Sequence, residues 1–122
     1  MSVRKSTMHV YFMRQEGTGF MKIGRANDPL RRLGNVRVGS PQPVYLVGSV
    51  LEHNGFSEKI AHQVFSEYWF RGEWFREEGR LADFVGNSLP WFVENSRNIT
   101  DGIFESKPEW DRRCFQLVRE AT

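Results

Sequence analysis

The chain has 122 residues, which suits one domain with its own hydrophobic core, and its single cysteine, Cys114, excludes an internal disulfide bond and an all-cysteine zinc site. No apolar run follows the N-terminal residues as in a signal peptide, and the longest apolar stretch, residues 44–51, is too short to span a bilayer, so we expect a soluble cytoplasmic protein. The net charge of +2 is unevenly distributed: residues 1–40 hold eight Lys or Arg against two acids, and residues 41–122 hold nine against thirteen.

The first predicted elements are two strands in the basic part of the chain. Apolar and polar residues alternate in both, with Val10 and Phe12 on one side of the first and Met21 and Ile23 on one side of the second. Residues 14–19 between them are polar and contain glycine, as hairpin loops do. We therefore expect an antiparallel hairpin with one apolar face.

Pairing Met13 with Phe20 would place Tyr11 directly opposite Lys22 in this hairpin. Opposed side chains begin with Cβ atoms roughly 5 Å apart, and a positive charge at that distance favours the phenolate form of tyrosine. The sequence thus predicts that Lys22 lowers the pKa of Tyr11, so that Tyr11 can take a proton from water.

Asp28 followed by Pro29 indicates the start of a short helix, with Leu30 and Leu33 facing inward. Residues 44–51 are rich in β-branched and aromatic residues and predict a third, central strand. Ser57 predicts the cap of a helix that runs to about residue 69. Further helical pieces are expected at residues 79–85, 89–95 and 108–119.

Cleavage of a phosphodiester requires a base, positive charge on the phosphate oxygens and usually a divalent cation held by carboxylate. Tyr11 with Lys22 would supply the base, Arg32 a planar fork for phosphate, and Glu58 a hard oxygen ligand. Gly24 would let the backbone approach closely. A site with one carboxylate suits Mg²⁺, which keeps most of its waters and takes other ligands from phosphate.

These residues, in this order, resemble the GIY-YIG endonuclease superfamily. The resemblance rests on Val10-Tyr11, on Lys22-Ile23-Gly24, on Arg32 directly before a leucine, and on a glutamate in a later helix. The run 58–62, with the later residues 72–75 reading Gly-Glu-Trp-Phe, is similar to the branch usually described as a bacteriophage-type DNA-binding domain. The match covers about residues 8–85.

The resemblance implies a mixed α/β (α+β) fold with a three-stranded antiparallel sheet flanked by helices. Residues 8–85 would form a GIY-YIG-like nuclease core and residues 88–122 a short helical C-terminal extension, within one domain over residues 1–122. The function implied is a metal-dependent endonuclease that hydrolyses DNA phosphodiester bonds with Mg²⁺ or Mn²⁺. The expected catalytic residues are Tyr11, Lys22, Arg32 and His62, and the expected metal ligand is Glu58.

Two positions depart from the family pattern. Lys22 stands where most members have a second tyrosine, and His9 replaces the first glycine of the motif. A catalytically weak or inactive DNA-binding module of the same fold therefore remains an alternative, as does a protein-interaction subunit. Glu73 is interpreted as a helix cap or the partner of an arginine.

The expected partner is DNA, with RNA as an alternative, and the expected assembly is a monomer or a weak homodimer. The eight basic residues in the first forty positions could contact a polyanionic backbone. The residues expected to bind nucleic acid are Gly24, Arg25, Arg31 and Arg37.

Overall fold

The fold is an antiparallel sheet with helices on both faces. The computed structural model describes residues 8–52 and 56–100, the last six by backbone alone, and the single positions 109, 112, 113, 116, 117 and 119. The elements in chain order are β1 (His9–Gln15), β2 (Phe20–Ala26), α1 (Pro29–Val38), β3 (Val44–Leu51), α2 (Glu58–Val64), β4 (Trp69–Arg71), β5 (Trp74–Arg76), α3 (Gly79–Asp83) and α4 (Leu89–Thr100).

Within the described residues the sheet has five strands, in the order β3-β1-β2-β5-β4, so the expectation of three strands is wrong. The two additional strands, β4 and β5, have three residues each and form a hairpin that pairs with β2 at Phe20, Met21 and Lys22. Gly72, with φ of 55°, permits the tight turn between them. Strands this short carry too few residues for an alternating pattern. The helix predicted from Ser57 to about residue 69 also ended where β4 begins. The overall class is nevertheless mixed α+β.

The register of the first hairpin differs from the expected one by two residues. Tyr11 pairs with Gly24, and Lys22 pairs with Met13. Because side chains alternate with a period of two, this shift leaves every residue on its expected face and changes only its neighbours. The prediction that Tyr11 lies directly opposite Lys22 is wrong for this reason.

Residues 44–51 form a strand as expected, but β3 lies at the edge of the described sheet, not at its centre. The segment is apolar because helices pack on both of its faces. Val44 belongs to the core beneath α1, and Leu89 and Val93 of α4 lie against Gly48 on the other face. Burial by helices thus produced a pattern typical of a central strand.

Hydrophobic clusters lie on both faces of the sheet and leave β1 buried on both sides. The larger cluster, against α2, α3 and α4, contains the alternating residues Val10, Phe12, Met21 and Ile23. The smaller cluster lies beneath α1 and contains Tyr11, Met13, Ala26, Leu33 and Val44. The face that carries Tyr11 is therefore covered by α1 over part of its area.

Side-chain caps fix the starts of α1 and α2 as predicted. Asp28 accepts a hydrogen bond from the backbone N–H of Arg31, and Ser57 accepts one from that of Ile60. The second helix ends at Val64, earlier than expected, and continues as a 3₁₀ turn over Ser66–Tyr68. Leu33 is buried as expected, whereas Leu30 is exposed.

The predicted helical pieces after residue 78 are confirmed at α3 and α4, which a π-helical turn, Phe84–Ser88, joins. Most of the predicted helix over residues 108–119 lies outside the described residues, as do Arg4, Lys5 and Cys114; of its described positions, 109, 112, 113, 116, 117 and 119 are helical. Among the described helices, none combines the length and apolar character needed to cross a bilayer.

Candidate functional site

Three potential metal ligands meet at the edge of β2. Glu58, His62 and Glu73 each offer one ligand atom, and these atoms all lie within 4.8 Å of one another. Glu58 and His62 lie four residues apart on α2 and therefore share a face of the helix, while Glu73 comes from the turn between β4 and β5. All three side chains are half-buried.

The backbone N–H and carbonyl of Ile23 each bind one of these residues. Its carbonyl oxygen accepts a hydrogen bond of 2.8 Å from Nε2 of His62, and its N–H donates one of 2.9 Å to the carbonyl oxygen of Glu73. Because a carbonyl only accepts, Nε2 carries the proton, and a neutral ring then keeps its lone pair on Nδ1. Histidine ligands of metals are commonly oriented in this way, by a backbone carbonyl on the other ring nitrogen.

Tyr11 points at this cluster from the interior of the sheet. Its side chain is fully buried, and within the described part of the chain its hydroxyl is the one buried side-chain polar atom without a partner at hydrogen-bond geometry, although the Arg32 guanidinium lies near enough to lower its pKa. A Cβ placed on Gly24 would lie 2.2 Å from the Tyr11 hydroxyl oxygen and 2.7 Å from Oε2 of Glu73. The absence of a side chain at Gly24 thus leaves the space in which these two oxygens approach each other.

The pKa of Tyr11 is raised rather than lowered. Burial raises the pKa of the phenol to about 12, and the negative charges of Glu73 and Glu58 act in the same direction, whereas nearby Arg32 lowers it. The expected lowering of this pKa by Lys22 is therefore wrong. Tyr11 is protonated at neutral pH in this environment.

Glu58 also ionises less readily than a free glutamate. Burial raises the pKa of its carboxyl, and the charge of Glu73 raises it further, while His62 and Arg25 lower it. Two carboxylates this close repel each other, and a cation between them would relieve the repulsion.

Lys22 belongs to the site through Glu73. Its Nζ lies 3.3 Å from Oε1 of Glu73 and 5.5 Å from the centre of the Trp74 ring. The lysine charge therefore compensates the carboxylate of Glu73.

The arginines predicted to bind nucleic acid divide into two groups. Arg25, Arg31 and Arg32 line a shallow groove of about 390 Å³ at the start of α1, which we call the basic groove. In this groove, Nε of Arg25 lies 2.9 Å from Oε2 of Glu52. Arg37 lies at the other end of α1, where its Nε donates a 2.9 Å hydrogen bond to the carbonyl oxygen of Val44. Arg37 thus contributes to packing between α1 and β3.

The main candidate site residue that the sequence did not reveal is Glu73. Its position after Gly72 suggested the end of a helix, and only the pairing of β5 with β2 brings its carboxylate beside α2. Glu58 and Glu73 are both acidic and His62 lies between them in the sequence. No local pattern, however, predicts that these two segments come together in space.

The comparisons with known proteins agree with the phage-type part of the resemblance. The family model of the T5orf172 domain matches residues 8–88, about two thirds of the chain. No curated protein and no solved structure matches the chain significantly. The matched residues contain both the basic groove and the cluster of Glu58, His62 and Glu73. The chain therefore belongs to the T5orf172 domain family, a phage-type domain.

Proposed function

We propose that this protein is a GIY-YIG-type endonuclease that hydrolyses DNA phosphodiester bonds with a divalent cation, Mn²⁺ or Mg²⁺. The observation that supports this proposal most strongly is the close approach of Glu58, His62 and Glu73, within 4.8 Å, beside a buried tyrosine hydroxyl that has no hydrogen-bond partner. A buried polar atom without a partner costs free energy, and such sites are often functional.

The residues present fit a divalent cation. Glu58 and Glu73 supply carboxylate oxygens, and His62 supplies an imidazole that the carbonyl oxygen of Ile23 orients through Nε2. Carboxylate ligands suit Mg²⁺ and Mn²⁺, and one imidazole favours Mn²⁺ of the two. When bound, such a cation supplies positive charge that stabilises phosphate oxygens and lowers the pKa of nearby water and of the Tyr11 phenol.

The roles of the other residues follow from their charge and position. Arg32, with its planar guanidinium, binds the phosphate beside Tyr11 and favours the phenolate. Tyr11 would accept the proton of the attacking water only as the phenolate, after it has lost its own proton to solvent, and the charges of Arg32 and of a bound cation would favour that form. Lys22 keeps the carboxylate of Glu73 in position.

DNA is the proposed substrate because the basic groove lies near the cluster: Arg25 lines the groove, and its charge lowers the pKa of Glu58. Arg31 and Arg32 extend from α1 and are exposed, so both are accessible to a phosphate backbone. Contacts of this kind contribute a salt-dependent and sequence-independent part of nucleic-acid affinity.

Cleavage of supercoiled plasmid tests the proposal. We expect nicked or linear product with Mn²⁺ or Mg²⁺ and none with a chelator, and loss of at least about 100-fold in rate for Glu58→Ala and for Tyr11→Phe. Glu94→Gln, which changes an exposed carboxylate on α4, is the matched control and should cut at the rate of the unchanged protein.

Equal cutting by Glu58→Ala and by the unchanged protein would contradict the proposal and indicate a contaminating nuclease. Absence of cutting under every divalent ion, with salt-dependent DNA binding retained, would instead favour a DNA-binding module without catalysis. The high pKa of Tyr11 is the observation that favours this second candidate, because a protonated phenol is a poor base.

A further inference from the structure

A second groove, of about 730 Å³, opens between α1 and the β4–β5 hairpin. We call it the aromatic groove; its floor contains Phe20, Lys22 and Trp74, and its sides contain Phe70, Asn35 and Val36. It lies on the face of the sheet that carries Tyr11, beyond the part that α1 covers. The groove thus exposes a section of sheet that no described element covers.

The walls of this groove present flat aromatic surfaces to solvent. Phe20 and Phe70 stack with ring centres 4.5 Å apart, and 53% of Phe70 remains exposed. An exposed aromatic ring on a three-residue edge strand adds little to the core. It offers a π-face on which another flat ring can stack, and nucleic-acid bases are such rings.

The aromatic groove is continuous with the proposed catalytic cluster and with the basic groove. Glu73 and Lys22 line the aromatic groove, and Glu73 is also a member of the cluster. Asn35, on α1, lines both the aromatic groove and the basic groove. Arg71, at the rim, is exposed and adds positive charge beside the aromatic rings. A DNA strand whose phosphates contact the basic groove would therefore pass the cluster and reach the aromatic rings.

We propose that the aromatic groove binds unpaired bases of the cleaved strand, so that single-stranded DNA, or a duplex with a single-stranded flank at the cutting site, is cut in preference to continuous duplex. In a duplex the base faces are covered by their stacked neighbours, and only unpaired bases can stack on Phe70. This inference rests on the proposed nuclease function, because it assigns the substrate class of the same site.

Binding measured without divalent cation tests the groove separately from cleavage. Fluorescence anisotropy of the full chain in chelator, at one fixed low salt concentration, compares a labelled 12-nucleotide strand with an abasic strand of the same length and with a 12-base-pair duplex. We expect the strand with bases to bind at least about tenfold more tightly than the abasic strand, because stacking on an aromatic side chain contributes this much per base. Phe70→Ala should remove most of that difference.

Tyr45→Ala is the matched control. Tyr45 is an aromatic residue of β3 with 47% of its surface exposed, and it does not line the aromatic groove. Its removal should leave the preference for bases unchanged. Circular dichroism of both variants checks that the fold is retained, and the comparison of strands on the unchanged protein needs no substitution.

Equal binding of the abasic strand and the strand with bases would overturn the proposal, as would a preference that persists in Phe70→Ala. Because no cleavage occurs in chelator, failure of the nuclease proposal would leave this result standing. Plasmid cutting without any preference for unpaired bases would overturn the groove assignment and retain the nuclease.

Discussion

Gly24 shows how one residue without a side chain makes room for the site. Tyr11 and Glu73 approach each other across the position that a Cβ on Gly24 would occupy. The pairing of Gly24 with Tyr11 across the hairpin places the glycine there. Glycine is therefore needed at this position because a side chain would not fit, and not because of its φ angle, which is not positive.

We predict that Gly24→Ala destabilises the protein by about 1–3 kcal/mol, because the added methyl group would lie only 2.2 Å from the Tyr11 hydroxyl oxygen. Gly34→Ala is the control, since no atom of the described residues lies within 4 Å of the corresponding Cβ position in α1. Alanine is the better helix former, so Gly34→Ala should stabilise by about 0.5–1 kcal/mol. Urea unfolding measures both, and an equal response of the two variants would contradict the steric explanation.

The raised pKa of Glu58 determines how its ionisation affects folding. A folded-state pKa above the unfolded value means that ionisation of Glu58 destabilises the fold. This destabilisation is absent below the unfolded pKa of 4.5 and complete above the folded-state pKa. Ionised Glu58 therefore lowers the free energy of unfolding at neutral pH.

We predict that Glu58→Gln raises the free energy of unfolding at about pH 8, by less than about 1 kcal/mol because part of the side chain remains in contact with water. The gain should disappear as the pH falls below 4.5, where the carboxyl of the unchanged protein is protonated in both states. Urea unfolding across this pH range measures the difference. Glu94→Gln should stay within about 0.5 kcal/mol of the unchanged protein, and a gain for Glu58→Gln that grew with acidity would have the wrong sign.

At the scale of elements, α2 positions the cluster through its N-terminus. The helix has only seven residues, and Ser57 caps it by accepting a 3.2 Å hydrogen bond from the N–H of Ile60. Glu58 and His62 occupy successive turns of this short helix, so its starting point decides where both side chains lie.

We predict that Ser57→Ala costs about 1 kcal/mol of stability, since the cap bond is lost. Ser66→Ala, which alters an exposed serine in the turn after α2, should change stability by less than about 0.5 kcal/mol. Thermal unfolding followed by circular dichroism compares the two. Equal melting temperatures for both variants would mean that the cap does not stabilise α2.

Some helices and strands could be predicted from local sequence patterns alone. Alternation identified β1 and β2 and the face to which each side chain points. Asp28-Pro29 marked the start of α1, and Ser57 marked the start of α2. The β4–β5 hairpin was missed because its strands are stabilised by pairing with β2 rather than by their own pattern. Propensity is a weak guide where tertiary pairing decides.

At the scale of the whole molecule, two grooves meet beside one cluster of metal-binding side chains. The basic groove and the aromatic groove share Asn35, and Glu73 links the aromatic groove to the cluster. Phosphate recognition, proposed cleavage and proposed base recognition would thus occupy adjoining parts of one surface.

We predict that Mn²⁺ stabilises the folded protein more than Mg²⁺ does. A ligand at about 100 times its dissociation constant adds about 2.7 kcal/mol, and the imidazole of His62 favours Mn²⁺. The melting temperature with each ion, against chelator, measures this without reference to activity. Glu73→Gln and His62→Ala should lose most of the Mn²⁺ effect and Glu94→Gln should keep it; equal shifts in all variants would place the ion elsewhere.

The sequence by itself determined the buried faces of the first strands, the starts of two helices, and the resemblance that singled out Tyr11, Arg32, Glu58 and His62. These features depend on residue type and local periodicity, which are read directly along the chain. Only the tertiary structure decided the hairpin register, the entry of Glu73 into the cluster and the pKa of Tyr11. A slip of two residues leaves each side chain on the same face, so the alternating pattern could not specify the register. The contacts of Glu73 and the pKa of Tyr11 depend on burial and on charged groups far apart in sequence, which no local pattern contains.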